Sequence, residues 1–538
     1  MKKIYIMIML VFAGMMAVAQ TSVWNGDRTI WTKGSGTESD PYLLESAEQL
    51  AYFAYVVNKG FNTTDMHFLL TTDIDLNGSE DLPWVPIGLA DRWFSEDGCN
   101  RGSSSGFYDR RPFFQGHFDG GNHSVSNIYV DGWSNAGLFG WAQGTVENPT
   151  VIENVFVLSG TIAGATCGGI LGKGTNTLVS HCWNGASISG TNVGGIVGEG
   201  ANVLSCYNTG HVTGTANVGG IVGQSALVIE ECYNSGIVEG DGQVAAGGLL
   251  GRDYPVASTI NNCYNKGLVS AIGGAGSYYP AAGGLIGRQV KSCEITNCYN
   301  VGEVSGSNHV GCLIGLSSTA ASVENCYYLD ACTESEYGTA SSGDYMRSQE
   351  LVDILNSGST DPVWALDSDG INNGFPVLSG QYYRVEVEVT PSEGGTVMGD
   401  GIHGFGALVT LTATASEGYA FVNWIENGEV VSTDPTYLFT VTGDRKLVAN
   451  FSGAGVNESV SMLRVSPNPV FARGEVRLGL PTAEKALVEI YNPLGVKVMS
   501  KETSDGRIVL SPAVVPGTYI MKVVSASGAG HYCKLIVE

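Results

Sequence analysis

Residues 206–223 read CYNTGHVTGTANVGGIVG, and the chain repeats that phrase with variations. CWNGASISGTNVGGIVG starts at Cys182, CYNSGIVEGDGQVAAGGLLG at Cys232, CYNKGLVSAIGGAGSYYPAAGGLIG at Cys263 and CYNVGEVSGSNHVGCLIG at Cys298, with a truncated CYYLDA from Cys326. Upstream, NVFVLSGTIAGATCGGILG (154–172) lacks only the leading cysteine, and NAGLFG (135–140) keeps the tail. The leading cysteines follow one another by 24, 26, 31, 35 and 28 residues. Constant ends with a variable middle mark a repeat carrying loop insertions such as GGAGSYYP (273–280), which solenoids tolerate on one face. Inside each unit, two to four apolar or β-branched residues precede Gly or Asn-Gly, and no segment has room for a long helix. A single unit buries little, whereas stacked units share one core. The pattern predicts an all-β chain built on a right-handed parallel β-helix over about residues 120–330, with rungs ~4.8 Å apart. Strand parity is uneven: Val228 and Cys232 are four apart, Val323 and Cys326 three. A bend or bulge just before the cysteine is expected, at a place the pattern does not locate.

Composition narrows the partners. With 43% hydrophobic residues and only 15% charged, the chain is no disordered polymer, and 75 glycines suit turn-rich β structure. A formal charge of −25 argues against nucleic acid and anionic lipid as ligands. Residues 1–19 read as a secretory signal peptide: Lys2-Lys3, an apolar stretch from Ile4, then Ala17-Val18-Ala19 at the cleavage positions. Downstream there is no apolar run of membrane-spanning length, so no transmembrane segment is expected. The predicted localisation is secreted or on the cell surface.

Two short helices should flank the repeats. SAEQ (46–49) suits a capping box with Ser46 as N-cap, followed by Leu50, Phe53, Ala54 and Val57 on one face and Gly60 as the stop. Ser348 opens a second helix carrying Leu351 and Leu355, closed by Gly358. Both are expected to cap solenoid ends against edge pairing. The resulting organisation is 1–19 signal, 23–126 cap helix and first coils, 127–330 repeats, 331–380 C-terminal cap, 381–452 a small antiparallel β module, 453–460 a linker, and 461–538 a final β-sandwich.

Three resemblances bear on these segments. The tails GILG (169–172), GIVG (195–198, 220–223), GLLG (248–251) and GLIG (284–287) resemble the GLUG-motif repeats of bacterial surface proteins. In CLIG (312–315), Cys312 stands where that motif has glycine. The likeness implies a β-helical surface protein; some such proteins carry a peptidase domain elsewhere. Residues 382–451, with Gly394-Gly395, Gly418-Tyr419, Phe421, Trp424 and Asn450-Phe451, look like the B-repeat of internalins, implying a spacer or binding module. Residues 461–538 resemble the C-terminal sorting domain of type IX secretion cargo, through Pro467-Asn468-Pro469, the Tyr491–Gly495 hairpin, Pro516-Gly517-Thr518-Tyr519 and Lys534-Leu535-Ile536-Val537. That likeness implies the type IX secretion machinery as a partner and attachment to surface lipopolysaccharide.

Candidate chemistry is sparse. The glycine runs lack the Lys-Ser/Thr and long helix of a phosphate loop, and HExxH does not occur. Among twelve cysteines, the six at 182, 206, 232, 263, 298 and 326 recur once per coil. Adjacent rungs hold equivalent residues ~4.8 Å apart, whereas a disulfide wants Cβ atoms ~3.8 Å apart, so buried stacked thiols are expected. No cofactor is expected, with calcium as the one candidate ion. In DIDLNG, Asp73, Asp75 and Asn77 alternate like calcium ligands, although Trp84 occupies the position of the closing acid, which favours a structural turn. DSDGINNG (367–374) presents Asp367 and Asp369 in the same way. His117, Asp119 and His123 cluster in GHFDGGNH, read as a turn into the first coil. Trp133, Trp141, Trp183, Tyr278 and Tyr279 are candidates to stack on sugars. The expected function is a non-catalytic adhesin or binder of glycan or host ligand; a carbohydrate-active β-helix enzyme using Asp73, Asp75 or Asp119 is the alternative.

Overall fold

The computed structural model describes residues 21–89, 112–273, 280–333, 335–360, 362–405, 407–441, 443–453, 465–479, 485–493, 495–525 and 530–538. The signal segment 1–19, Tyr278, Tyr279 and most of the 453–460 linker lie outside them. The chain divides into two compact units. One comprises residues up to 388 with 397–413 and 423–449; the other comprises 389–396, 414–422 and 450–538.

The first unit contains the solenoid. Among the described residues, parallel sheets of 19, 7 and 10 strands run down its faces. Each repeat is one coil, and equivalent residues pair on successive rungs: Val203↔Ile229, Tyr207↔Tyr233, Val212↔Val238, Val218↔Ala246 and Val222↔Leu250. Inward residues such as Val203, Cys206, Val212, Val218 and Ile221 are fully buried and join one core running from Trp24 to Tyr328. Gly219-Gly220 form the corner between two sheets. A Cβ on Gly219 would stand 1.9 Å from the Val222 carbonyl oxygen, and one on Gly220 would lie 2.1 Å from that of Gly248. Only hydrogen fits there.

The expected bend before the cysteine is a left-handed residue on every coil: Asn154, His181, Ser205, Glu231, Asn262, Asn297 and Asn325 have φ between 45° and 54°. The register also resolves the uneven parity. Ile229, not Val228, pairs along the ladder that leads through Ile260 and Ile295 to Val323, so both inward residues stand three before their cysteine.

Helix α1 (Ala47–Asn58) begins as read: Ser46 Oγ accepts from Gln49 N–H at 3.3 Å, while Gln49 Oε1 reaches back to the N–H of Glu45. It buries Leu50, Phe53, Ala54 and Val57 in the solenoid core, with Phe53 against Phe68, Phe114 and Phe118. The other end departs from expectation. Within the predicted cap 331–380, Thr339–Ser341 extend the last rung beside Tyr327–Leu329, and Cys332 is disulfide-bonded to Cys312. Helix α2 (Gln349–Leu355), N-capped by Ser348, packs on the solenoid flank instead, in a second core with Trp364, Phe375, Leu378 and the repeat tyrosines. A row of buried aromatic rings offers a larger apolar surface than the end rung, which already carries its own strand and disulfide.

Strands between 382 and 453 form antiparallel sheets of five and three strands. In the second unit, sheets built from 465–478 with 507–509, and from 486–503 with 517–537, enclose Val476, Val488, Ile490, Ile508, Met521, Val523 and Leu535 as one core. A β-sandwich results.

Candidate functional site

The repeated Cys-Tyr-Asn phrase builds three ladders, each with its own chemistry. On the cysteine ladder, every Sγ from Cys182 to Cys326 lies 3.0–3.2 Å from the carbonyl oxygen two residues earlier, to which it donates. The backbone N–H of Cys182, Cys206, Cys232 and Cys263 in turn donates to the sulfur of the next rung at 3.3–3.4 Å. Burial pushes the Cys206, Cys263 and Cys326 thiols well above the usual range, so the S–H proton is kept. The sulfurs therefore satisfy backbone donors where the left-handed bend interrupts the strand.

The asparagine ladder went unread in the sequence. Asn184, Asn208, Asn234 and Asn265 each donate Nδ2–H to Oδ1 of the next rung's asparagine at 2.8–2.9 Å, and close a turn with the residue two ahead. The signal was present: Asn follows the aromatic in all five full copies of the motif. The aromatic ladder stacks Tyr207, Tyr233, Tyr264 and Tyr299 at 4.8–4.9 Å, with Trp183 at one end. Trp364 covers it, and the hydroxyl of Tyr299 is held by Pro376 O and Asn372 Nδ2. Tyr264 and Tyr299 are thus covered by the chain's own strap at 345–381, while Tyr207 meets Phe405.

Outward chemistry concentrates elsewhere. On the first coils His117 Nε2 and Glu153 Oε1 are 2.6 Å apart, and the His67 ring lies 4.9 Å from that of His117. The hydrogen bond to Glu153 raises the His117 pKa, and the same bond lowers that of Glu153. Burial, then the neighbouring His117, lowers the pKa of His67. Asp119 sits beside Glu153 in register but is engaged by Gly121 N–H and Asn154 Nδ2. His123 faces Asp73 instead, at 3.4 Å, so the triplet read in GHFDGGNH is divided between two contacts. Burial pushes the Asp73 carboxyl up, but hydrogen bonds from His123 and Ser124 outweigh it and hold the pKa low. Asp75 Oδ1 accepts from the N–H of Asn77 and from Asn127 Nδ2, which gives the DIDLNG turn a protein-only account. Asp367 likewise binds the N–H groups of Ile371, Asn372 and Gly374. Among the described residues, no three His, Cys, Asp or Glu side chains gather as a metal site.

Two further faces remain open. A shallow groove of about 470 Å³ crosses four coils, lined by Ser189, Thr213, Glu239, Asp241, Ser270 and Ile272. On the adjoining sheet, Trp141 lies 6.1 Å from Phe113 with the Lys173 ammonium 5.8 Å above its ring; Trp133, on the groove's own sheet, packs partly buried on the core. None of these arrangements is a nucleophile–base pair.

In the module after the solenoid, Trp424 is fully buried and donates to Asp434 O, strands 408–412 and 436–440 pair antiparallel, and Arg445 is bound by Glu426 while lying over Phe439. Residues 385–455 match the divergent InlB B-repeat domain. The B-repeat thus follows the solenoid in the chain.

Two curated relatives overlap more widely. A chain of Evansella cellulosilytica, provisionally named a Gly-rich membrane protein, is 29% identical over 168 residues, covering 29% of this chain and 16% of its own length. Halomucin of Haloquadratum walsbyi is 26% identical over 430 residues, 78% of this chain and 4% of its own. The chain therefore spans a small part of either. Among solved structures, a Bacteroides ovatus protein provisionally titled an immunoglobulin A1 protease shares 22% identity over 65% of this chain and 95% of that one, with a TM-score of 0.40. PorZ, a surface component of the type-IX secretion system of Porphyromonas gingivalis, shares 13% over 32% and 27%, with a TM-score of 0.13.

The residues read as sorting motifs have local structural roles. Asn468 bridges Lys534 O and Ile536 N–H, beside Pro467 and Pro469, and Tyr519, which follows Gly517 and is nearly buried, donates to Val515 O. No helix among the described residues is long and apolar enough to cross a membrane.

Proposed function

We propose that this chain is a non-catalytic ligand binder of the cell surface or surroundings, holding an extended glycan or host ligand across open solenoid coils. The observation that carries this reading is the groove from Ser189 to Ile272, where Ser189, Thr213, Glu239 and Ser270 stand in register, one hydroxyl or carboxylate per coil. Such groups exchange hydrogen bonds with sugar hydroxyls, and repetition multiplies weak contacts. In this reading the B-repeat is a spacer, and the final domain is a type IX export and lipopolysaccharide-attachment signal of the kind its motifs resemble. The names of the halomucin and Gly-rich membrane relatives agree with a surface role. A glycan array combined with a depolymerisation screen tests it: retained glycan without new chain ends is expected, and absence of binding on every glycan and host-matrix probe would overturn it.

A catalytic reading draws on Asp119 and Glu153, carboxylates on adjacent rungs beside His117. It requires new reducing or unsaturated ends in the same screen, abolished by Glu153→Gln.

A further inference from the structure

Each coil lends its edge to the next until the last. The N–H groups of Val212, Val238 and Val269 donate to the carbonyl oxygens of Ile237, Leu268 and Glu303 on the following rung, at 2.8–2.9 Å. Val304 holds the same place on the last coil, in register with Val269, and the ten-stranded sheet ends on its strand, Val304–Gly306. Among the described residues no carbonyl accepts from the Val304 N–H. Side-chain burial records the same missing rung. Val212, Val238, Val269 and Ala282 are fully buried, whereas Val304 and Val310, their counterparts at the end, are half-buried.

The edge is bare because the chain turns away from it. Tyr327–Leu329 add one strand to the sheet that carries the tyrosines, with Tyr328 where an asparagine would continue the ladder from Asn300. The next residues leave the coil path, and the Cys312–Cys332 disulfide ties them back to the corner. A groove of about 500 Å³ results, lined by residues 300–306, Val310, Leu329 and 331–333. The opposite end of the solenoid is treated differently. There α1 joins the core, the N–H groups of Gly140 and Trp141 donate to Ile87 and Gly88, and Tyr129 O accepts from Trp84 N–H. An uncovered edge is a template for another strand, and proteins ordinarily cover it. This chain covers one end only.

Charge selects the occupant. Residues 292–346 contain seven Asp or Glu and no Lys or Arg, and exposed Glu303 lies beside Val304 in the groove lining. A second copy of this chain would bring the same acidic stretch to the contact, and like charges across an interface disfavour it. We infer that Val304–Gly306 is a docking edge for an extended, basic peptide segment of a partner protein. The segment adds a rung through backbone hydrogen bonds to Val304, sets apolar side chains on Val304 and Val310, and turns lysine or arginine toward Glu303. The inference stands apart from the glycan reading, whose groove is lined by earlier coils.

Fluorescence anisotropy of the full chain with labelled peptides of about six residues tests it, one alternating lysine and valine and one alternating glutamate and valine. Melting temperature is the folding control. The lysine–valine peptide should bind about tenfold or more tighter than its glutamate counterpart. Val304→Pro removes the outward N–H but leaves the bond from Val269 to Glu303 in place, and should weaken binding by about tenfold. Glu303→Lys should abolish the preference for lysine, whereas Glu429→Lys, the same charge reversal on an exposed residue of the B-repeat, should preserve it. Equal affinity for the two peptides, no binding of the lysine–valine peptide, or folded Val304→Pro and Glu303→Lys proteins that bind as the wild type does would overturn the inference. A dimer in light scattering that Val304→Pro dissolves would overturn it too, by assigning the edge to a second copy. The glycan array is read separately, so failure of one reading leaves the other standing.

Discussion

The cysteine of each coil is a hydrogen-bonding residue as much as a packing one. Replacing Cys232 by valine adds apolar volume but removes the sulfur that receives the Cys206 N–H. An unsatisfied buried donor costs about 1–3 kcal/mol, so Cys232→Val should be destabilised in chemical denaturation; an unchanged or more stable variant would mean that the thiol only fills space. The left-handed position before it offers the opposite opportunity. A non-glycine residue there costs roughly 1–2 kcal/mol, which asparagine partly escapes. His181→Asn, matching Asn154, Asn262, Asn297 and Asn325, should therefore raise stability by on the order of 0.5–1 kcal/mol, read by the same denaturation. The His117–Glu153 pair gives a pH signature. The raised histidine contributes fully below its unfolded pKa near 6.5 and loses that contribution as pH rises through its folded pKa; the lowered glutamate contributes above 4.5 and is lost as pH falls. Glu153→Gln should depress the melting temperature more at pH 5.5 than at pH 8, and equal depression at both would remove the ion pair from the account.

At the scale of elements, the strap at 345–381 and the solenoid have separate cores, one built on the tyrosine row and one inside the coils. Trp364 joins the strap to Tyr264 and Tyr299 and donates its indole N–H to Asn262. Trp364→Ala, a truncation that costs about 3–5 kcal/mol in a packed core, should free the strap for limited proteolysis between 345 and 381. The β signal in far-ultraviolet circular dichroism should persist, because the inner core does not include this residue. Simultaneous loss of both would show that the coils depend on the strap. The same element explains why α2 was expected in the wrong place: its amphipathic pattern specifies that one face is buried, without specifying the surface that buries it.

For the whole molecule, the prediction concerns destination. Deleting 461–538 should leave the protein in the periplasm of a type IX-competent host, detected by cell fractionation; normal surface display of that truncation would show that the last domain is not the export signal. The groove belongs to this scale too, because it is assembled from residues one coil apart.

Much of this was legible in one dimension. The coil per repeat, the buried cysteine positions, the glycine corner, α1 with its cap and the β modules after residue 380 follow from local periodicity and turn chemistry, because backbone hydrogen bonds between rungs force equivalent residues to stack. What lay beyond the sequence are meetings between residues 20 to about 120 positions apart. Cys312 finds Cys332, Gln381 reaches Tyr264, Glu153 takes His117 away from Asp119 and His123, and Arg252 comes to face Arg288. Each depends on insertion lengths and on the left-handed bends that set the register. Those quantities are decided by how the finished coils pack, since a side chain's neighbour on the next rung is chosen by the stack and not by its own stretch of chain.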